Sequence, residues 1–163
     1  MSADVTNVVI AGLGGQGVLK ASDILADVAF QAGCDVKKSE IHGMAQRGGS
    51  VSSDVRFGAE VLSPMVPEAS ADFVMVLSED QVELNRRHLR DGGTLIEPSM
   101  LPADLVANRR AWNVALLGAL SAHLPMPVQQ WHEAIRKALP EKVLESNLRG
   151  FDTMRELALA ARA

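Results

Sequence analysis

The chain has 163 residues, 47% hydrophobic and 22% charged, which suits a single domain with a full core and argues against disorder. A net charge of −4 excludes a broad electrostatic grip on nucleic acid, and a single cysteine, Cys34, excludes an internal disulfide and any cysteine-built zinc or iron–sulfur site from this chain alone. The N-terminus lacks a basic region and no apolar run approaches about 18 residues, so a soluble, cytoplasmic protein with no membrane span is expected.

The unbroken β-branched run Val8-Val9-Ile10 predicts a buried strand over 5–11. A glycine turn follows at once, Gly12-Leu13-Gly14-Gly15-Gln16-Gly17. Apolar residues at 18, 21, 24, 25, 28 and 29 then predict a helix to Ala32, with Gly33 as its stop and Cys34 as a buried, inert thiol. Residues 34–38 suit a short second strand. The stretch 39–50 has no clean period and is polar and glycine-rich, which predicts a loop with one helical turn at most. Residues 51–57 alternate in polarity, as a half-exposed antiparallel or edge strand does, and 60–62 are expected to pair with it.

Residues 73–77 predict a second buried strand, 79–89 a helix with Ser78 as N-cap, Asp91-Gly92-Gly93 a turn, and 94–97 a strand. A short helix is expected at 101–108, and helices at 112–123 and 128–138, split by Pro125 and Pro127. The last helix, 141–161, is expected to break at Gly150. Strands alternating with helices predict a Rossmann-like α/β fold: a mainly parallel sheet with helices on both faces and a C-terminal helical segment.

Two stretches carry chemistry. Gly12-x-Gly14-x-x-Gly17 sits between a strand and a helix, where such spacing permits a tight turn and lets backbone N–H groups approach a phosphate at the helix N-terminus. A purely structural turn is the plainer alternative. The acidic residue that reads ribose in NAD sites is missing. The second strand ends instead in Lys37-Lys38, which favours a more phosphorylated ligand or else marks a solvated edge. The second stretch, 39–50, packs Ser, Glu, His, Gln and Arg among three glycines. His42 suits proton transfer and Arg47 suits a bidentate grip on phosphate or carboxylate. The other histidines, 88, 123 and 132, are expected on helices as surface or core residues. Trp112 and Trp131 are expected as core or interface anchors, and Asn113 as a cap. No metal site and no complete catalytic set is visible.

These two motifs resemble those of the gamma-type subunits of 2-oxoacid:ferredoxin oxidoreductases, the indolepyruvate enzymes above all. The resembling segments are Gly12–Val18 and Lys38–Val51, with Asn113–Leu120 and Glu145–Leu148 further on. The resemblance covers most of the chain, and implies one gamma-type domain over 1–163. It also implies a larger partner carrying thiamine diphosphate, magnesium and iron–sulfur clusters, with coenzyme A as co-substrate. Gly12, Gly14, Gly15, Gln16, Gly17, Ser39, Gly43, Gln46, Gly48 and Gly49 match positions implied to bind cofactor. Glu40, His42 and Arg47 match positions implied to serve a shared catalytic site. One departure stands out: between Glu97 and Asn113 the chain is shorter than the family pattern, so a late strand is expected to be shortened or missing. Two rivals remain from the residues alone, a stand-alone NAD(P)-dependent enzyme and a nucleotide-sensing module. The absence of any tyrosine counts against the first.

Overall fold

The structure, a computed structural model, describes residues 4–43 and 48–163. Five strands form one mixed sheet in the order β2-β3-β1-β4-β5: β1 (Thr6–Leu13), β2 (Asp35–His42), β3 (Ser50–Gly58), β4 (Ala71–Val76) and β5 (Leu89–Ile96). The pairs β1–β4 and β4–β5 are parallel, while β3 runs antiparallel to both β1 and β2. Four of the five strands therefore point one way. The alternating strand 51–57 is antiparallel as expected, but it lies inside the sheet rather than at an edge.

One face is thickly covered. Helices α1 (Val18–Gln31), α4 (Trp112–Ser121), α5 (Val128–Ala138) and α6 (Glu141–Arg162) enclose a core that includes Ile10, Leu25, Met75, Leu116, Trp131 and Phe151. All ten residues of α4 are buried, as suits a helix apolar on every side. The other face carries a small cluster, Val9, Val74, Val76 and Val82, under the short helix α2 (Val82–Asn85) and the 59–70 loop. Both predicted tryptophans are core residues, whereas Cys34 is half-buried against the core. Helix α1 ends as Gly33 predicted: Gly33 has φ +91°, its N–H bonds the Phe30 carbonyl, and the Cys34 N–H bonds that of Ala29.

Several expectations need correction. Residues 39–42 are not loop: they continue β2, with Ser39 opposite Asp54 and His42 opposite Val51. Cross-strand hydrogen bonding to β3 organises a stretch whose side chains carry no periodic signal. No strand forms at 60–62, although Val61 is buried, its N–H held by the Asp35 carboxylate at 2.8 Å. The helix expected at 79–89 is only α2 between two 3-10 turns, 79–81 and 86–88, because Leu89 already pairs with Ala71 to begin β5. Ser78 makes no side-chain cap bond. Gly92 and Gly93 do not end a strand but form an irregularity inside β5, where Ala71 faces Leu89 and Phe73 faces Thr94. The 101–108 helix shrinks to α3 (Ala103–Val106). Helix α6 runs unbroken through Gly150, which is buried against Leu105 and Ala115. No strand follows β5 among the described residues, so β5 is an open edge, in line with the short 97–113 segment.

Candidate functional site

The Gly turn is built around the end of β1. The Leu13 N–H donates to the Gln16 side-chain oxygen at 2.7 Å, and the Gln16 N–H donates to the Leu13 carbonyl at 3.1 Å. Gln16 thus closes the turn on itself, and a Cβ on Gly12 would lie 2.7 Å from its amide oxygen. Gly15 has φ +88° and open space around it. Gly17 has φ +85° and precedes α1 directly. Beneath Gly17 sits Asn113, whose side-chain N–H donates to the Gly17 carbonyl at 3.2 Å; a Cβ on Gly17 would come within 2.3 Å of that nitrogen. Asn113 is therefore not the helix cap expected, since α4 starts one residue earlier. It latches the Gly turn to α4.

The second motif meets the first. Gly14 donates its N–H to the Gly49 carbonyl at 2.9 Å, and Gly43 donates to the Ser50 carbonyl at 2.6 Å, closing the mouth of the β2–β3 hairpin. The two motifs enclose a cavity of about 290 Å³, lined by Gly14, Gly15, Gly17, His42, Gly43, Gly48 and Gly49 with the first turn of α1. Within α1 the first main-chain bond runs from Ala21 to Gly17, so the N–H groups of Val18, Leu19 and Lys20 have no acceptor inside the helix. They present the positive end of the helix dipole, with no acidic residue in the first turn. Such a wall suits an anion, and the exposed His42 imidazole lines the same cavity.

Not every predicted residue converges there. Gly12 and Gln16 support the turn from behind. Ser39 and Glu40 lie further back on β2 and outside the cavity lining, with Glu40 exposed and 3.3 Å from Lys38. Gln46 and Arg47 lie outside the described residues. The two lysines are not phosphate readers: Lys37 pairs with Asp35 at 3.4 Å, and Lys38 is shared between Asp23 and Glu40. They form a solvated edge, the second of the two roles their position allows. Lys20 lines the cavity, but its ammonium donates to the Ala138 carbonyl at 3.1 Å. His132 bonds Asp152 at 2.6 Å and clasps α5 to α6, away from the cavity. Among the described residues no group of three His, Cys, Asp or Glu side chains can hold a metal, and no helix is long and apolar enough to cross a membrane.

Comparison with known proteins falls on the same motifs. Residues 7–104 match the family model described as pyruvate ferredoxin/flavodoxin oxidoreductase. The chain is 34% identical over 188 aligned positions to the indolepyruvate oxidoreductase subunit IorB of Thermococcus kodakarensis, covering 90% of this chain and 92% of that one. It is 31% identical to IorB of Archaeoglobus fulgidus, covering 96% of each. The first of these alignments is longer than the chain itself, so that relative carries segments this chain lacks. Among solved structures, the gamma subunit of a keto/oxoacid ferredoxin oxidoreductase from Geobacter sulfurreducens superimposes with a TM-score of 0.76 at 23% identity, covering 95% of this chain and 99% of that one. The 2-oxoglutarate:ferredoxin oxidoreductase of Magnetococcus marinus, with 2-oxoglutarate, coenzyme A and succinyl-CoA bound, superimposes at 0.80 and 23% identity, covering 96% of this chain and 31% of that one.

Proposed function

The chain belongs to the pyruvate ferredoxin/flavodoxin oxidoreductase family, and from that premise we propose that residues 1–163 form one gamma-type domain, the small subunit of an oxidoreductase acting on indolepyruvate or another aryl 2-oxoacid. In this reading the complex releases the substrate carboxylate as CO₂, transfers the acyl carbon to the thiol of coenzyme A, and passes two electrons to ferredoxin or a similar acceptor. A larger cytoplasmic partner would hold thiamine diphosphate with magnesium, which would supply the decarboxylation chemistry, and the iron–sulfur clusters. The donor set of this chain agrees with that division, since one cysteine cannot ligate a cluster. The similarity to IorB subunits at 31–34% identity favours indolepyruvate; a 2-oxoglutarate synthase subunit KorC of Methanothermobacter marburgensis is 28% identical.

The observation that carries the reading is the shared cavity. Two motifs about thirty residues apart, one preparing an anion site and one bearing His42, open into the same space. That space suits part of a coenzyme A molecule held against the partner's thiamine site, with Gly14, Gly15 and the start of α1 facing phosphate. His42 and Arg47 then serve the shared catalytic site, His42 by moving a proton and Arg47 by holding a negative charge. Glu40, of the same motif, serves that shared catalytic site with them.

The test is a reconstituted complex with His42→Ala and Arg47→Ala subunits. Each is expected to lower kcat/KM for coenzyme A by about tenfold or more, a loss of about 1.4 kcal/mol of transition-state stabilisation. Unchanged turnover together with an unchanged coenzyme A dependence overturns the proposal.

A further inference from the structure

The Gly turn has a second side. From β1 the chain crosses through α1 to β2 on one side of the sheet; from β4 it crosses through α2 to β5 on the other. The direction of winding therefore reverses between β1 and β4. In open α/β sheets the carboxyl ends of two such strands leave a crevice between their outgoing loops. The Leu77 N–H bonds the Ala11 carbonyl at 2.8 Å and holds the two strand ends together at the crevice floor. The space above is about 170 Å³, lined by Gly15, Gln16, Leu77, Arg109, Arg110 and Trp112.

Its walls are cationic. The Arg109 guanidinium lies 4.6 Å from the centre of the Trp112 ring and 3.5 Å from the Glu79 carboxylate, so its charge is already partnered and its position supported. Arg110 forms no ion pair or hydrogen bond among the described residues. Opposite it stands Gly15, with positive φ and nothing within 4 Å of where a Cβ would be. Gly15 lines both this crevice and the His42 cavity. The crevice is smaller than the ~300–1,000 Å³ of pockets that enclose a whole small molecule, so it fits one group of a longer ligand.

We infer that this crevice is a phosphate subsite in which Arg110 supplies the holding charge, and that the ligand runs over the bare backbone of Gly15 into the His42 cavity. A guanidinium fork matches a phosphate with two parallel hydrogen bonds. The Arg109–Trp112 stack lines the same crevice beside Arg110. The inference deepens the reading above, which it needs in order to identify the ligand as the phosphate-bearing co-substrate rather than free phosphate.

Two experiments separate the parts. The full-length chain is titrated with inorganic pyrophosphate, as wild type and as Arg110→Gln, Arg110→Lys and, on α6, Lys142→Gln. Saturable binding by wild type, weakened about tenfold in Arg110→Gln, partly kept in Arg110→Lys and unchanged in Lys142→Gln, supports the subsite. Equal binding by all four chains, with melting temperatures unchanged, overturns it. In the reconstituted complex, Arg110→Gln is expected to raise KM for coenzyme A with kcat kept. If Arg110→Gln abolishes pyrophosphate binding yet leaves KM for coenzyme A unchanged, the subsite stands and the coenzyme A assignment falls. If neither changes, the subsite falls, and the His42→Ala result still judges the first reading independently.

Discussion

Gly17 and Gly33 both have positive φ, yet different surroundings make them unequal. At Gly33 nothing lies within 4 Å of where a Cβ would stand, so an alanine there meets only backbone strain, about 1–2 kcal/mol. At Gly17 the same strain adds to a collision with Asn113, whose half-buried bond to the Gly17 carbonyl would break. Gly17→Ala is expected to cost about 2–4 kcal/mol in urea unfolding, and Gly33→Ala about half of that. Equal losses would show that the latch contributes nothing. At this scale the spacing of the glycines was legible in the sequence, because a tight turn before a helix demands them. The role of Asn113 was not, since its partner lies 96 residues away and no local pattern links them. Arg109 and Arg110 carry no local signal for the same reason: their crevice exists only once the ends of β1 and β4 stand side by side.

The crossing of α4 and α6 turns on two glycines with opposite expectations. A Cβ on Gly118 would come within 2.1 Å of the Phe151 carbonyl oxygen, a backbone atom that cannot swing aside. Gly118→Ala is expected to destabilise the protein by about 3 kcal/mol, since overpacking of this kind forces the helices apart. A Cβ on Gly150 meets Ala115 and Leu105 at 3.6 Å, ordinary contact distance. Gly150→Ala is therefore expected to stabilise α6 by up to about 1 kcal/mol, the gain in helix propensity. Thermal melting of the two variants checks the contrast, and a loss in both would mean that Gly150 is also a close-approach site. Glycine inside a helical pattern reads as a break, and only the packing shows which one serves close approach. The same ambiguity hid the full length of β2. Ser39 and Glu40 carry no strand signal of their own, and their extended conformation comes from pairing with Asp54 and Ser53. The short α2 has a matching cause: Leu89 is recruited by β4 and the helix ends early.

Across the molecule, two histidines link stability to pH. Burial holds the His88 imidazole below its usual value, helped by Arg87 and opposed by Asp54 and Glu68. Burial does the same to His123, which packs on the Phe73 ring, with Arg162 adding to the effect. Each is protonated more readily in the unfolded chain, whose histidines titrate near 6.5. Unfolded protein therefore binds more protons below that value, and stability falls as pH drops from about 6.5 through the folded-state values. Denaturant unfolding at pH 7.5 and 5.5 should show lower stability at the acid end, with the difference reduced in the His88→Gln, His123→Gln double variant. An undiminished slope would assign the effect elsewhere. The Asp54 carboxyl works in the opposite direction. Desolvation raises its pKa against the opposing pull of the Val66 N–H, so its contribution to stability grows as pH falls towards 3.8.

The sequence by itself determined the α/β class, the Gly turn with its helix and the alternating strand 51–57. Each of these rests on residues close together in the chain, where periodicity and turn chemistry act directly; the family came separately, from the resemblance its motifs carry. The tertiary structure alone decided that the Gly turn and the β2–β3 tip share one cavity, that Asn113 holds the turn from below, and that a cationic crevice opens behind Gly15. Those features depend on strand order. A parallel neighbour is set by long crossovers and by which faces can be buried together, and neither leaves a local signature in the chain.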